Sequence, residues 1–381
     1  MILIHRPLAR CVFLLLPLAA GSDGGALPAA PTGTATIATP AAPGASAAGA
    51  VSGSRVTPWA AAGTVWTVPP FTLRDGFWIN LHHFLFQQAV TAKRGGAGES
   101  SGSTAAELSS AEELTAWSEA LRYYAASVVD RDLLFDRALN DVDYGLAALD
   151  DGAGIGGAGL PPEMAAALAR AAPVYRAHWW PAHDRANRFW IAVASPLIQQ
   201  LGPRMVEQLA AAYGERWPAR QFLVDVAAYA NWAGAYTSTI DEARPVHTII
   251  SSLNPGNQGF AALETLFHEA SHAILDQQTD RVTSAIEREC RVRGQQPPRG
   301  LTHAIIFYTA GELARRNLAA VGVAGYVPSA ERYGLWTRAW PSFKGPLERF
   351  WPPYLDGKTT LDAAIAQIVQ AVGAGAAKGS G

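Results

Sequence analysis

Apolar side chains three and four residues apart predict amphipathic helices over most of this chain. The predicted helices lie at residues 77–87, 112–139, 164–172, 199–216, 263–275, 280–293, 301–317 and 360–372. Alternating apolar and polar residues at 222–226, 229–239 and 247–252 predict strands. The pattern therefore predicts a mainly helical α+β protein, with a small antiparallel sheet packed on the helix at 263–275.

The first 21 residues have the pattern of a secretory signal peptide. Arg6 and Arg10 form a basic start, residues 12–20 form an apolar core, and Ala19-Ala20-Gly21 is a small-residue cleavage site. The apolar run is too short to span a membrane, so the mature protein is expected to have no integral membrane segment. We therefore expect an exported protein, either periplasmic or secreted.

Four further parts follow the signal peptide. Residues 22–58 contain mostly Ala, Gly, Pro, Ser and Thr, a composition that favours a disordered linker. Residues 59–217 are predicted to be a helical N-terminal part and residues 218–372 a catalytic part. Residues 373–381, rich in Gly and Ala, are predicted to be a disordered tail.

Composition excludes some classes of partner. The 381 residues carry a formal net charge of −2, and their Lys and Arg residues are scattered, so a nucleic-acid partner is not expected. Of the two cysteines, Cys11 lies in the predicted signal peptide, which leaves Cys290 without an internal disulfide partner. The sequence leaves the oligomeric state open.

The candidate chemistry lies on the predicted helix at 263–275. His268, Glu269 and His272 spell H-E-x-x-H, and residues four apart lie on one side of a helix, so both histidines can bind one metal ion. Glu269 lies between them and can act as a general base toward water that the metal activates. The alternative is a buried helix whose two histidines only form hydrogen bonds, but burying two imidazoles and a carboxylate without a partner is costly.

The helix at 301–317 can supply a third ligand. His303 and Glu312 are nine residues apart, so they face nearly opposite sides of an unkinked helix, and only one can reach the metal. Glu312 shares a side with Tyr308, whereas His303 lies among apolar residues. Elsewhere, the adjacent His82 and His83 point about 100° apart on a helix, which favours structural hydrogen bonds over one shared metal.

These residues resemble the zincin metallopeptidases, and among them the gluzincins. The segments His268-Glu269-Ala270-Ser271-His272 and Phe307-Tyr308-Thr309-Ala310-Gly311-Glu312 are also similar to a group of exported bacterial proteins of uncharacterised activity. The zincin resemblance implies a Zn²⁺ ion held by His268, His272 and Glu312, with Glu269 as base.

The same resemblance implies roles for further residues. Tyr308 or His303 would stabilise the transition state, with His303 the reserve ligand, and the strand at 248–252 would be the edge that pairs with an extended peptide. The expected function is an exported zinc metallopeptidase acting on a peptide or amide. The alternatives are a zinc amidohydrolase with a non-peptide or cell-wall substrate, and a helical binding protein whose metal site is structural or inactive.

Overall fold

A five-stranded sheet lies between the helices of the described part of the chain. The computed structural model describes residues 64–94, 108, 110–239, 241, 243–275 and 280–379, so the predicted signal peptide and linker lie outside the described residues. The strands are β1 (Thr64–Val68), β2 (Phe71–Asp75), β3 (Phe222–Ala227), β4 (Ala235–Ser238) and β5 (Val246–Ser251), in the spatial order β1-β2-β3-β5-β4. The first two strands come from the part predicted to be helical.

The sheet is mixed, so the prediction of an antiparallel sheet is wrong. β2, β3 and β5 run parallel, while β1 and β4 pair antiparallel at the two ends. A long helical segment connects β2 to β3, and parallel neighbours require such a crossover. Alternation of apolar and polar residues within a strand indicates which residues are buried. It does not indicate whether neighbouring strands run parallel or antiparallel.

Helices precede and follow the three C-terminal strands. Between β2 and β3 lie α1 (Phe77–Arg94), α2 (Ala111–Ser127), α3 (Arg137–Ala147), α4 (Pro162–His178) and α5 (Trp180–Tyr213). After β5 come α6 (Ala261–Leu275), α7 (Arg281–Val292), α8 (Leu301–Ala320), α9 (Ser329–Arg332), α10 (Leu335–Arg338), α11 (Lys344–Leu355) and α12 (Leu361–Gly379). Single 3-10 turns are formed by Ile155–Ala158, Trp232–Gly234 and Pro255–Asn257.

Two predicted boundaries change in the structure. The helix predicted at 199–216 is the second half of α5, which continues through Pro196 and Pro203. α12 continues beyond residue 373, the start of the predicted tail, to Gly379. Among the described residues, no helix is long and apolar enough to cross a membrane.

The two faces of the sheet are covered by different helices. Val224 and Val226 belong to one buried cluster with residues of α5, α6, α8 and α12. Ala227 and Ile249 belong to a second cluster, formed with α1 to α4. Because side chains alternate along a strand, the two clusters lie on opposite faces. The protein is thus mainly helical, with helices on both sides of a small sheet.

Buried polar residues accompany the second cluster. Asp225 accepts hydrogen bonds from Arg74 at 2.9 Å and from His247 at 2.6 Å, and all three side chains are buried. Burial raises the pKa of Asp225, but the charges and hydrogen bonds of Arg74 and His247 outweigh this and hold the pKa below its ordinary value. Ionised Asp225 therefore compensates the buried guanidinium.

His82, His83, His178 and His183 of the described chain all lie beside polar side chains. The Nε2 atoms of His82 and His83 lie 3.6 and 3.7 Å from Asp143 Oδ1, and burial raises the pKa of Asp143 well above its ordinary value. His178 pairs with Glu113 at 3.0 Å, and His183 with the Tyr175 hydroxyl at 2.8 Å.

Candidate metal centre

The start of α6 is tied to the ends of two strands through Asn257. Its amide donates to the carbonyl oxygens of Gly234 at 2.7 Å and Ser251 at 3.1 Å. Thr265, in the first part of α6, donates to the Asn257 side-chain oxygen at 3.2 Å. These bonds fix the helix to the sheet. The apolar face of α6 then packs into the first cluster, as the helical spacing predicts.

Three histidines converge beside this helix. His268 and His272 lie one turn apart on α6, and His303 reaches them from α8. One potential ligand nitrogen of each lies within 4.8 Å of the others. The three ring centroids are 5.1 to 5.4 Å apart. This cluster could hold a metal ion, and it is the only such group of three or more His, Cys, Asp or Glu side chains in the described part of the chain.

Burial makes two of these imidazoles weak bases. Desolvation lowers the pKa of His268 well below its ordinary value, and His272 and His303 lower it further. Desolvation, with a contribution from His272, lowers the pKa of His303 to about 3. Both rings are therefore neutral near pH 7 and present a lone pair, the form in which histidine binds a metal.

One nitrogen of His268 has no hydrogen-bond partner within the described residues. Its Nδ1 atom is buried, and a buried polar atom without a partner costs roughly 1–3 kcal/mol. The residues present fit a metal ion chemically, because each of the three imidazoles offers one nitrogen within 4.8 Å of the other two and the His268 ring carries a buried nitrogen without a hydrogen-bond partner.

Glu269 is held by the sheet. Its Oε2 atom accepts a hydrogen bond of 2.8 Å from Thr237 Oγ1 on β4, and both side chains are buried. Thr237 Oγ1 also lies 2.8 Å from Thr248 Oγ1 on β5, its register partner. Because Thr237 donates to the carboxylate, it accepts from Thr248. Two strands thereby orient the carboxylate that lies in sequence between two of the histidines.

Aromatic rings cover the histidine cluster. The Phe307 ring centroid lies 4.0 Å from that of His268 and 5.0 Å from that of His303. Trp340 packs edge-on against His303 at 5.5 Å. Phe307 follows His303 by one turn of α8, so both project toward α6. An apolar shell of this kind limits the access of bulk water to a metal site.

Glu312, the predicted third ligand, is not part of the cluster that the structure brings together. Arg315 donates two hydrogen bonds to its carboxylate at 2.7 and 2.8 Å, and Arg316 donates one at 2.6 Å. Burial alone would raise the pKa of Glu312, but the two guanidinium groups hold it below its ordinary value. His303, the alternative third ligand, lies beside His268 and His272 instead.

The structure also bears on two further predicted roles. Tyr308 lines a cavity with Glu312, and its ring packs against Trp336 at 6.2 Å. β5 lies between β3 and β4, so it cannot be the edge that pairs with a substrate; β4 is at the end of the described sheet. The sequence analysis assigned no site role to Thr237, Phe307 or Trp340. Thr237 had a signal, because it lies in an alternating stretch shortly before the H-E-x-x-H helix, and so did Phe307, which follows His303 by one helical turn.

No protein-family model matches the chain, and comparison with curated proteins and with solved structures finds no significant match to either.

Proposed function

We propose that this protein is an exported zinc-dependent hydrolase of the metallopeptidase type. In this proposal His268, His272 and His303 hold the metal, and Glu269 is the general base. The proposal rests on one observation: three imidazoles from two helices converge, with potential ligand atoms within 4.8 Å of one another. Two of them, His268 and His272, lie on the same helix as Glu269. Three protein ligands are typical of catalytic zinc sites, whereas structural sites have four.

The donor set supports zinc. Imidazole nitrogen is a common ligand of zinc, and three histidines are the ligands of known catalytic zinc ions. A zinc ion at this position would lower the pKa of water and polarise a substrate carbonyl. The protein's own part is to present neutral imidazoles and to position a base.

Glu269 is the group that moves the proton. In this mechanism its carboxylate accepts a proton from the attacking water and later delivers it to the leaving amine. Thr237 holds one carboxylate oxygen through a hydrogen bond of 2.8 Å, which limits rotation of the side chain. Phe307 and Trp340 exclude bulk water beside His268 and His303, which strengthens electrostatic interactions at the site.

The test combines metal content with hydrolysis. The purified protein should contain about one zinc per chain and should cleave members of a mixed peptide library. Glu269→Gln should keep the zinc and lose at least about a hundredfold in rate, because general-base catalysis contributes about 10²–10⁴-fold. Glu287→Gln, an exposed change on α7, is the matched control and should behave as wild type.

Two results would contradict the proposal. Wild-type protein that contains no zinc would rule out the proposed metal site. Equal hydrolysis by wild type and Glu269→Gln would rule out Glu269 as the general base. Cleavage of small amides or cell-wall fragments, without cleavage of any peptide, would keep the mechanism and change the substrate class. Full zinc occupancy without hydrolysis of any amide would indicate a structural or inactive site.

A further inference from the structure

A cavity of about 280 Å³ adjoins the histidine cluster. Phe307 belongs to both, because its ring packs on His268 and also lines the cavity. A cavity of about 150 Å³ can bind benzene, so this volume suits one amino-acid side chain or a similar small group. The cavity is therefore one aromatic ring away from the proposed metal.

Four of the eleven residues that line the cavity are aromatic: Phe307, Tyr308, Tyr326 and Trp336. Tyr326 is fixed by the hydrogen bond that its hydroxyl donates to the buried Glu264 at 2.6 Å. Trp336 is buried and packs against Trp340, which itself contacts His303. The walls thus belong to the same aromatic packing that covers the metal site. Aromatic faces attract cations through their quadrupoles.

The charged residues at the cavity are mostly acidic. The lining includes the carboxylates of Glu312, Glu331 and Glu348 and one cation, Arg315. Glu312 is already paired with Arg315 and Arg316. The excess of negative charge therefore lies at Glu331 and Glu348, which share the ammonium of Lys344 at 3.7 and 3.5 Å.

Charged groups of both signs lie close to the Tyr308 phenol. Burial raises the pKa of this phenol, and the carboxylates of Glu312 and Glu348 raise it further. Arg316 and Arg315 act in the opposite direction with smaller effects. The carboxylates that line the cavity are thus close enough to Tyr308 to attract a positively charged guest.

We propose that this cavity binds an alkylammonium or guanidinium group, and that it is the subsite for a lysine or arginine side chain of the substrate. Aromatic rings line part of the cavity, as in sites that recognise organic ammonium groups, and the Glu331 and Glu348 carboxylates would complement the charge of the cation. The subsite role rests on the proposed hydrolase function, whereas cation binding does not.

Calorimetric titration of the full chain tests cation binding without any activity assay. The probes are n-butylammonium and n-butylguanidinium, with 1-pentanol as a neutral analogue of similar shape. We expect each cation to bind at least about fivefold more tightly than the alcohol, because desolvated cation–π contacts are worth about 1–2 kcal/mol. Equal affinities for cations and alcohol would overturn the proposal.

A double substitution locates the binding. Glu331→Gln with Glu348→Gln changes two half-exposed side chains, so the fold should persist, and cation affinity should fall about three- to tenfold. Glu287→Gln with Glu289→Gln on α7 makes the same change in net charge and should leave the affinity unchanged. Equal affinity in both double variants would overturn the assignment to this cavity.

Peptides distinguish a bound side chain from a free amine. In a cleaved peptide, replacing lysine by norleucine at one subsite position should lower kcat/KM about tenfold, and the cavity double variant should abolish that preference. Cation binding without such a preference would overturn the subsite and assign the cavity to free amines. If no peptide is cleaved, the hydrolase function fails and calorimetry still decides whether the cavity binds cations.

Discussion

Thr237 on strand β4 donates a hydrogen bond of 2.8 Å to Glu269 on helix α6. The bond joins the end strand of the described sheet to the only carboxylate of the H-E-x-x-H segment. Thr248 donates in turn to Thr237 at 2.8 Å, so the hydroxyl that faces Glu269 is itself oriented. Hydrogen bonds to charged groups contribute about 1.5–3 kcal/mol, enough to hold one rotamer of the base.

Thr237→Val should therefore impair the proposed hydrolysis while leaving the fold intact. Valine has the shape of threonine and cannot donate, so kcat/KM should fall about tenfold or more. Thr237→Ser keeps the hydroxyl and should retain most of the activity. The measurement is steady-state kinetics on a cleaved peptide, with zinc content and melting temperature recorded for each variant. Wild-type kinetics in Thr237→Val would rule out this positioning role.

The third ligand can be tested by metal content alone. His303→Ala should lower bound zinc from about one per chain to background, because only two imidazoles would remain. Glu312→Gln should retain full occupancy, since its carboxylate is bonded to Arg315 and Arg316. Elemental analysis after dialysis gives both values, and circular dichroism checks that each variant is folded. Loss of zinc in Glu312→Gln, with retention in His303→Ala, would reverse the assignment.

Glu264 should make stability depend on pH. Burial raises its pKa from an ordinary value of 4.5 to about 7, although Tyr326 and Ser329 donate hydrogen bonds that lower it. At this group the folded state therefore binds more protons than the unfolded state between these values, so the contribution of Glu264 to the free energy of unfolding falls as pH rises from about 4.5 to 7. The loss attributable to this group is at most roughly 3 kcal/mol.

Glu264→Gln should remove this part of the pH dependence. Urea unfolding at pH 5 and pH 7.5, with a chelator present to exclude metal effects, measures it. Between pH 5 and pH 7.5, the stability of Glu264→Gln should rise relative to that of the wild type and of Glu287→Gln, because the variant lacks the loss that Glu264 contributes. If the free energy of unfolding changes between pH 5 and pH 7.5 by the same amount in Glu264→Gln as in the wild type, Glu264 does not titrate in this range.

Asp225→Asn should strongly destabilise the protein. The substitution leaves the fully buried Arg74 guanidinium without its counter-ion, and breaking a buried pair costs about 3–5 kcal/mol. Asp362→Asn removes the partner of Arg288 in an exposed pair and should cost less than about 1 kcal/mol. Chemical unfolding of both variants gives the comparison. Equal small losses would mean that Arg74 finds another partner.

Local features of the candidate site were predictable from the sequence. The helix around His268 and His272 depends on apolar spacing within fifteen residues, and the alignment of two side chains four apart follows from helix geometry alone. The same holds for α8, where His303 and Glu312 had to face opposite sides. The sequence even contained a signal against Glu312, because Arg315 and Arg316 follow it at i+3 and i+4.

The choice between those two sides required the tertiary structure. Which face of α8 meets α6 depends on how Ala304, Ile305 and Ala310 pack among residues far away in the chain. The direction of the strands also depends on the tertiary structure, because β2 pairs with β3 across a connection of more than a hundred residues. Periodicity along one segment determines which side chains are buried. It cannot determine which distant segment covers them, since that depends on the packing of the whole core.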